Sequence, residues 1–190
     1  MANRPRTLVV IRHGETEWSR AGRHTGLTDI PLTEAGRAAA AALAPRLAEQ
    51  TFALVLCSPL QRARETCALA GFGQQAELCE DLVEWNYGDY DGLTSAEIRE
   101  TRPGWDLWHD GCPGGEQPDE VGARLDRVLA RVAEVDGDVL AVAHGHSLRV
   151  LAARWIELEP AGGARLRLAA AGLGRLGFEH GTRVIDQWNV

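Results

Sequence analysis

Two short apolar segments, residues 7–12 and 138–143, each run directly into a His-Gly pair, and this repetition limits the folds open to the chain. Runs of this length that are rich in valine, leucine and isoleucine predict buried β-strands. A third run, residues 52–56, leads into Cys57-Ser58-Pro59. Because helix-like segments separate the runs, we expect right-handed crossovers and a mostly parallel sheet. Open sheets of this kind bind ligands at the carboxyl ends of their strands.

The rest of the chain continues this alternation of strands and helices. Val121, Leu125 and Val128 recur at the spacing of one helix face, and the alanine run 38–42 favours a helix. The predicted class is α/β, with a mostly parallel central sheet flanked by helices on both faces, in a single domain over residues 1–190. The predicted helices lie near residues 33–50, 60–71, 94–101, 118–135 and 147–157, and the remaining strands near 76–79, 165–171, 174–179 and 183–189.

Residues 85–116 differ in composition from the segments around them. They are rich in Trp, Gly, Asp and Pro. We interpret them as a loop and helix insertion that covers the site as a lid. Substrate specificity is expected to depend on this segment.

Composition and cysteine usage favour a cytoplasmic protein. No stretch of about 18 apolar residues is present for a membrane span, and Met1 to Arg6 lack the apolar segment of a signal peptide. None of the four cysteines forms a C-x-x-C pair, and no Cys/His spacing indicates zinc, so we expect reduced thiols and no bound metal. Cys57, within a predicted strand, is interpreted as a small buried hydrophobe rather than a catalytic thiol.

All twenty basic residues are arginine, which removes Schiff-base chemistry on lysine and a P-loop lysine. The net charge is −7, and an acidic chain with local arginines lacks the broad basic face of most nucleic-acid binders. Arg12 and Arg62 stand near predicted strand ends. A small anionic substrate drawn into a focused pocket fits this pattern, with no nucleic acid, membrane or cofactor as partner.

The strand ends carry residue types that suit phosphate chemistry. Arg12 and Arg62 each offer a planar fork that can donate two hydrogen bonds to phosphoryl oxygens. Backbone N–H groups near Gly145, where a helix is expected to begin, also suit an anion. His144, if protonated, adds a third cationic donor. From the residues alone, either His13 or His144 is the candidate nucleophile, with the other as a phosphate ligand.

Four blocks of sequence, by their order and spacing, resemble the histidine phosphatase superfamily in its phosphoglycerate mutase-like branch. The resemblance covers most of the chain and implies phosphohistidine chemistry. The matching residues are Arg12-His13-Gly14-Glu15-Thr16 with Trp18, the segment from His24 to Thr33 with Gly36, Ser58-Pro59 with Arg62-Ala63 and Thr66, Glu84 with Tyr87-Gly88 and Asp91-Gly92, and His144-Gly145.

The resemblance implies roles for individual residues. It favours His13 over His144 as the nucleophile that forms the phosphohistidine, and it singles out Glu84 as the proton donor. A carboxyl beside a bound phosphate dianion is expected to hold its proton, so that it can act first as general acid and later as base toward water.

Further residues are expected to form the substrate pocket. Ser19, Thr25 and Gly26 match family positions that line it, and Tyr87 matches a substrate contact in the mutases. His146 and Arg149 follow His144 closely and are candidates to face the substrate, although an Arg149 that faces solvent is an equal alternative.

The activity implied by the resemblance is hydrolysis. The segment from Trp85 to Glu116, taken with Ala143 to Arg149, resembles a subgroup that contains bacterial acid phosphatases and the fungal sedoheptulose bisphosphatase. The mutases usually carry longer insertions and a C-terminal tail, and the sequence after the last predicted strand is short. We therefore predict a metal-independent phosphatase of small phosphomonoesters, sugar phosphates among them. A phosphoglycerate mutase and a catalytically inactive module that binds a phosphorylated ligand stay as alternatives, and a homodimer is one expected assembly.

Overall fold

A six-stranded sheet organises the protein, and the computed structural model describes residues 7–190 of the chain. The sequence-based expectation about a signal peptide in residues 1–6 falls outside this range. The order of strands across the sheet is β3-β2-β4-β1-β5-β6. The strands are β1 (Leu8–Arg12), β2 (Leu54–Cys57), β3 (Ala76–Leu78), β4 (Val139–Ala143), β5 (Leu173–Glu179) and β6 (Thr182–Gln187).

The first four strands are parallel and the last two are antiparallel. β4 lies between β1 and β2 and pairs with both in parallel, and β3 adds to β2 in the same sense. β5 is antiparallel to β1, and β6 completes a hairpin with β5. The predicted α/β class with a mostly parallel sheet is confirmed.

Helices cover both faces of the sheet, as predicted. Along β1, Leu8 and Val10 belong to one apolar cluster, whereas Val9 and Ile11 belong to another, because alternate side chains of a strand point to opposite faces. The first cluster includes residues of the helices Pro118–Ala133 and Gly145–Trp155, and the second includes residues of the helices Ala44–Leu47 and Gln61–Leu69. The helices are α1 (Glu17–Arg20), α2 (Glu34–Ala41), α3 (Ala44–Leu47), α4 (Gln61–Leu69), α5 (Ser95–Thr101), α6 (Leu107–Asp110), α7 (Pro118–Ala133) and α8 (Gly145–Trp155).

Two details of the predicted elements are wrong. The expected helix over residues 33–50 is split into α2 and α3, because Pro45 has no N–H with which to continue the helical bonding of α2. The expected strand at 165–171 is absent: Pro160–Arg165 forms a 3₁₀ turn, and β5 already occupies the free edge of β1. The carbonyl of Leu168 accepts a hydrogen bond from Arg12 Nη1 at 2.6 Å instead.

Residues 85–116 contribute several large buried side chains to the core. Trp85, Ile98 and Trp105 are buried in the same apolar cluster as β1 and β4. The indole N–H of Trp105 donates to the carbonyl of Gly111 at 2.9 Å, so the segment also has internal polar support. Whether it acts as a lid stays a prediction. Over residues 7–190, no helix combines the length and the apolar character needed to cross a bilayer.

Arg124, on α7, connects the core to the segment that carries Glu84. Its Nε and Nη2 donate to the two carboxylate oxygens of Glu116 at 2.7 and 3.1 Å. Its Nη1 donates to the carbonyls of Asp81 and Val83 at 2.7 and 2.9 Å. Because the Arg124 side chain is only 7% exposed, its loss would leave several polar groups without partners away from water.

We therefore expect Arg124→Met to lower the free energy of unfolding by about 3 kcal/mol, at the lower end for breaking a buried ion pair because Glu116 keeps some contact with water. Arg127→Met is the matched control, since Arg127 lies on the same helix and pairs with Asp81 at the surface, and it is expected to change stability little. Urea denaturation of both variants measures the difference. Equal losses would contradict a structural role for Arg124.

Candidate active site

β1 and β4 bring two histidines to one edge of the sheet. The strands are parallel neighbours, with Arg12 opposite Ala143, so the residues that follow them lie side by side. The backbone N–H of His13 donates to the carbonyl of Ala143 at 2.9 Å. The ring centroids of His13 and His144 are 5.2 Å apart. The two His-Gly pairs therefore meet at the carboxyl edge of the sheet, as the sequence predicts.

A cavity of about 270 Å³ opens at this edge, and we call it the His13 cavity. Most of the predicted site residues line it, whereas Arg62, His144 and Gly26 lie outside its wall. The lining residues are Arg12, His13, Ser19, Gly22, Arg23, His24, Thr25, Glu84, Tyr87, Ser95, Gly145, His146, Arg149 and Leu168.

His13 presents an unprotonated nitrogen to this cavity. Its Nδ1 lies 2.6 Å from the carbonyl oxygen of Gly14, which can only accept, so Nδ1 carries the hydrogen and donates it. Burial lowers the pKa of His13 well below its usual value, and the nearby charges of Arg12 and Arg62 lower it further. The imidazole is therefore neutral near pH 7, and Nε2 keeps a free electron pair.

Arg12 lines the cavity with a donor left open. Its Nη1 is held by the carbonyl of Leu168, but Nε is a buried side-chain nitrogen with no hydrogen-bond partner among residues 7–190. Gly145 packs against the guanidinium so closely that a Cβ there would lie 3.2 Å from Arg12 Cζ. An anion in the cavity would give the open N–H an acceptor, because a buried donor without a partner is costly.

Arg62 is fully buried, and its guanidinium donates hydrogen bonds to backbone carbonyls and to His144. Its Nη2 donates to the carbonyls of Thr25 and Gly26 at 3.1 and 2.8 Å, and Nη1 donates to the carbonyl of Thr28 at 3.0 Å. Its Nε donates to His144 Nδ1 at 3.1 Å. The expectation of a two-pronged contact from Arg62 to phosphate differs from the structure, because most of its donors already hold the loop that follows α1.

His144 is uncharged, in contrast to the third cationic donor considered from the sequence. Arg62 Nε can only donate, so His144 Nδ1 is the acceptor, and Nε2–H donates to Ser58 Oγ at 2.7 Å. Burial lowers the pKa of His144 well below its usual value, and Arg62 adds to the effect. Both ring nitrogens are engaged, so His144 positions its neighbours in this structure rather than contacting the cavity.

Glu84 is held at the beginning of α8. Its Oε1 accepts from the backbone N–H of Trp85 and Ser147 at 2.9 and 2.8 Å, and its Oε2 accepts from that of His146 at 3.0 Å. N–H groups at the first turn of a helix favour a carboxylate. Glu84 lines the cavity and is 4% exposed, with Oε2 the less heavily bonded of its two oxygens.

Aromatic and basic side chains form the wall beyond Glu84. Tyr87 Oη lies 2.5 Å from His146 Nδ1, and the His146 ring packs edge-on against Trp108. The guanidinium of Arg149 lies over the Trp108 ring, with Cζ 4.4 Å from the ring centre, and its Nε donates to the carbonyl of Gly163. Arg149 therefore lines the cavity and is held there by these contacts. The alternative, in which Arg149 faces only solvent, does not agree with the structure.

The predicted pocket residues Ser19, Thr25 and Gly26 divide into two groups. Ser19 and Thr25 line the cavity. Gly26 does not: its N–H donates to Asp91 Oδ1 at 2.7 Å and its carbonyl accepts from Arg62. A Cβ at Gly26 would lie 2.9 Å from the carbonyl oxygen of Trp85, so this glycine permits a close approach of two loops. The structure therefore shows Gly26 at a packing position outside the cavity wall, and its expected substrate contact stays a prediction.

Sequence reasoning did not assign several residues that the structure brings to the site. His24 lines the cavity, with Nε2 3.2 Å from Ser95 Oγ, and burial lowers the pKa of His24 to about 4. The sequence signal for His24 was its position beside Thr25, in a segment that resembles the histidine phosphatase superfamily. Ser95 and Leu168 carry no signal of their own, because the tertiary fold alone brings them to the cavity. Ser58, which accepts a hydrogen bond from His144, belongs to a segment that resembles the family, but the sequence analysis assigned it no role.

A larger groove, of about 850 Å³, lies between α4 and the edge strand β3. Cys57, Arg64 and Cys67 are among its lining residues, and none of the predicted catalytic residues is. Arg64 thus lies outside the His13 cavity. Cys57 is a buried free thiol whose pKa is raised by its contact with Cys67 and by burial, which agrees with the interpretation as a small hydrophobe.

In the part of the chain that the structure describes, no three His, Cys, Asp or Glu side chains form a metal-binding group.

Comparison with known proteins gives concordant results. The family model of the histidine phosphatase superfamily (branch 1) matches residues 8–190. An acid phosphatase of Mycobacterium tuberculosis is 43% identical over 187 residues, which cover 96% of this chain and 92% of that protein. A sedoheptulose 1,7-bisphosphatase of Saccharomyces cerevisiae is 36% identical over 186 residues, covering 79% of this chain and 67% of that protein. A solved structure of a Mycobacterium tuberculosis open reading frame matches with a TM-score of 0.93 at 41% identity, and 97% of each chain is covered.

The chain therefore belongs to the histidine phosphatase superfamily, branch 1. The two curated relatives are both phosphatases, which confirms the prediction of a phosphoric monoester hydrolase.

The lowered pKa of His13 leads to a prediction for the enzyme without substrate. A histidine with a lowered pKa loses its proton at lower pH than usual, so His13 is expected to stay neutral as the pH falls from 7.5 through 6.5. Its ring Cε1 shift in ¹H–¹³C NMR should then be constant over this range. His13→Gln assigns the signal, and protein unfolded in urea provides the ordinary titration near pH 6.5. A midpoint at or above 6.5 in the folded enzyme would refute the neutral state.

Proposed function

We propose that the enzyme hydrolyses small phosphomonoesters, with sugar phosphates as the substrate class, through a phosphohistidine on His13 and without a metal ion. The observation that carries this proposal is the free electron pair of His13 Nε2 at the wall of a cavity that also contains Arg12 and Glu84. A neutral imidazole is a competent nucleophile, and its hydrogen on Nδ1 is held by Gly14 during attack. The yeast relative that acts on sedoheptulose 1,7-bisphosphate supports the choice of sugar phosphates.

Positive charge for the phosphoryl group comes from the protein itself in this proposal. The Nε–H of Arg12 has no acceptor among residues 7–190, which a phosphoryl oxygen would supply, and the N-terminus of α8 at Gly145 adds the favourable end of a helix dipole. Arg62 acts through its charge rather than by contact, and this charge is close enough to lower the pKa of His13. Phosphoryl transfer depends mainly on such positioning and electrostatic stabilisation.

The proposed reaction has two steps. In the first, His13 Nε2 forms a bond to phosphorus while the ester P–O bond breaks, and Glu84 gives its proton to the leaving oxygen. In the second, water attacks the phosphorus of the phosphohistidine and gives a proton to Glu84, the P–N bond breaks, and inorganic phosphate leaves. Glu84 ends protonated and His13 ends neutral, so the site is ready for the next substrate.

Glu84 suits the role of proton carrier by its placement. Three backbone N–H groups fix the carboxyl, so its orientation does not depend on a mobile side-chain partner. Because these donors favour a carboxylate, the proposal requires the negative charge of the bound phosphate dianion to keep the proton on Glu84. Two of these bonds go to Oε1 and one to Oε2, which leaves Oε2 as the atom that can carry the proton. Its position on the cavity wall beside His146 supports a leaving group on that side of the phosphoryl group.

The nucleophile assignment predicts that His13→Ala lowers turnover by several orders of magnitude, as loss of a nucleophile does, and forms no phosphoenzyme. Rapid quench with ³²P-labelled substrate, run with excess chelator, should trap an acid-labile phosphoenzyme in the wild type and none in the variant. His109→Ala is the control, because His109 is exposed and pairs with Asp106 at the surface, away from the His13 cavity. A labelled His13→Ala protein, or loss of the wild-type burst in chelator, would contradict the proposal.

The role of Glu84 predicts a dependence on the leaving group. A sugar alkoxide needs a proton as it leaves, whereas p-nitrophenolate is stable without one. Glu84→Gln should therefore slow the burst with a sugar phosphate by ~10²–10⁴-fold, and the burst with p-nitrophenyl phosphate far less. The burst phase isolates the first step from the later attack of water. Equal losses with both substrates would show that Glu84 binds or supports structure instead.

Two expectations stay predictions. A cytoplasmic location follows from the sequence, and the four free cysteines, which suit a reducing compartment, are in keeping with it. A homodimer is one expected assembly, and light scattering of the purified protein measures it directly.

A further inference from the structure

The imidazole of His146 is fixed on the cavity wall by three separate contacts. Its backbone N–H donates to Glu84 Oε2 at 3.0 Å, and its Nδ1 lies 2.5 Å from Tyr87 Oη. Its ring centroid is 5.2 Å from that of Trp108, with the planes at 73°. A ring held at the main chain, at Nδ1 and on one edge has little freedom to turn.

The hydrogen between Tyr87 and His146 can be placed from the available partners. Tyr87 is 2% exposed, and over residues 7–190 its hydroxyl has no hydrogen-bond partner other than His146 Nδ1. If Nδ1 carried the hydrogen and donated to Oη, the hydroxyl hydrogen of Tyr87 would be buried without an acceptor, which is costly. The hydroxyl therefore donates to Nδ1, which is the arrangement with both groups satisfied.

This arrangement leaves the ring hydrogen on Nε2. Burial lowers the pKa of His146 well below its usual value, with Arg149 the next contribution, and burial raises the pKa of Tyr87, so both groups are uncharged near pH 7. Neutral histidine has one N–H, and with Nδ1 accepting, that N–H is at Nε2. Nε2 makes no hydrogen bond to any described residue, and His146 lines the His13 cavity.

The position of His146 indicates which part of the substrate this N–H would reach. The backbone N–H of His146 donates a hydrogen bond to Glu84, the proposed proton donor. A proton donor must lie next to the ester oxygen that leaves. The phosphoryl group belongs on the side of His13 and Arg12. A donor beside Glu84 therefore faces the alcohol portion of the substrate.

We propose that His146 Nε2–H donates a hydrogen bond to a hydroxyl oxygen of the leaving alcohol, and that Tyr87 is the positioning residue that holds His146 in this tautomer. The inference rests on the proposed phosphatase function and assigns the substrate class more narrowly, as phosphate esters of alcohols that carry a neighbouring hydroxyl. An uncharged N–H recognises such an oxygen without requiring a second anionic group. Sites with a dedicated hydrogen-bonding group discriminate against analogues that lack the matching hydroxyl.

The test compares two substrates that differ only in hydroxyl groups, glycerol 3-phosphate and n-propyl phosphate. In His146→Phe, which keeps a ring against Trp108 but has no N–H, the ratio of kcat/KM for glycerol 3-phosphate over n-propyl phosphate should fall about three- to tenfold, the usual range for one neutral hydrogen bond. Any loss common to both substrates cancels in the ratio. His146→Gln, which can still place an N–H in the cavity, should retain more of the wild-type ratio than His146→Phe.

A measurement on the wild type tests the tautomer independently of any variant. Two-bond ¹H–¹⁵N NMR correlation should show a protonated Nε2 and an unprotonated Nδ1 for His146 at pH 7, with His146→Gln assigning the signals. A protonated Nδ1, or an unchanged substrate ratio in His146→Phe, would overturn the inference while leaving the phosphatase function intact. If the wild type released phosphate from neither alkyl ester nor from p-nitrophenyl phosphate, the proposed function itself would fail and this inference with it.

Discussion

The buried guanidinium of Arg62 is the contact on which the arrangement of this site depends. It links α4 to the loop at residues 25–28 and to His144 at the end of β4. Its hydrogen-bond acceptors are carbonyl oxygens and an imidazole rather than a carboxylate, so its positive charge is not cancelled by direct contact. That charge acts on His13 and His144 together, and both histidines are kept neutral by it and by burial.

Three neutral histidines at the site differ in which nitrogen carries the hydrogen, and the difference comes from their partners. A carbonyl takes the Nδ1 hydrogen of His13, so its Nε2 has a free electron pair. Arg62 and Tyr87 donate to Nδ1 of His144 and His146, so each of these carries its hydrogen on Nε2. The same side chain therefore supplies a candidate nucleophile at one position and a donor at the others.

The N-terminus of α8 serves two purposes in the proposed reaction. The N–H groups of His146 and Ser147 hold Glu84, while Gly145 approaches Arg12 closely at the cavity wall. Because β4 ends at Ala143 and α8 begins at Gly145, one strand-to-helix junction around His144 holds the proposed proton donor, packs against Arg12 and presents His146. A small displacement of this junction would therefore affect several steps of the reaction at once.

The amino-acid sequence was sufficient to predict the parallel sheet, because apolar runs and helical periodicity are local patterns, and to predict that His13 and His144 meet, because parallel strands share a carboxyl edge. It was not sufficient at 165–171, where a strand was predicted but β5 pairs with β1 instead and residues 160–165 form a 3₁₀ turn. Nor did it indicate that Arg62 and His144 bond to each other instead of lining the cavity. The bonds of Arg62 join residues 34 to 82 positions apart, and Tyr87 lies 59 positions from His146, so the tautomers of His144 and His146 were decided only when the tertiary fold brought their partners together.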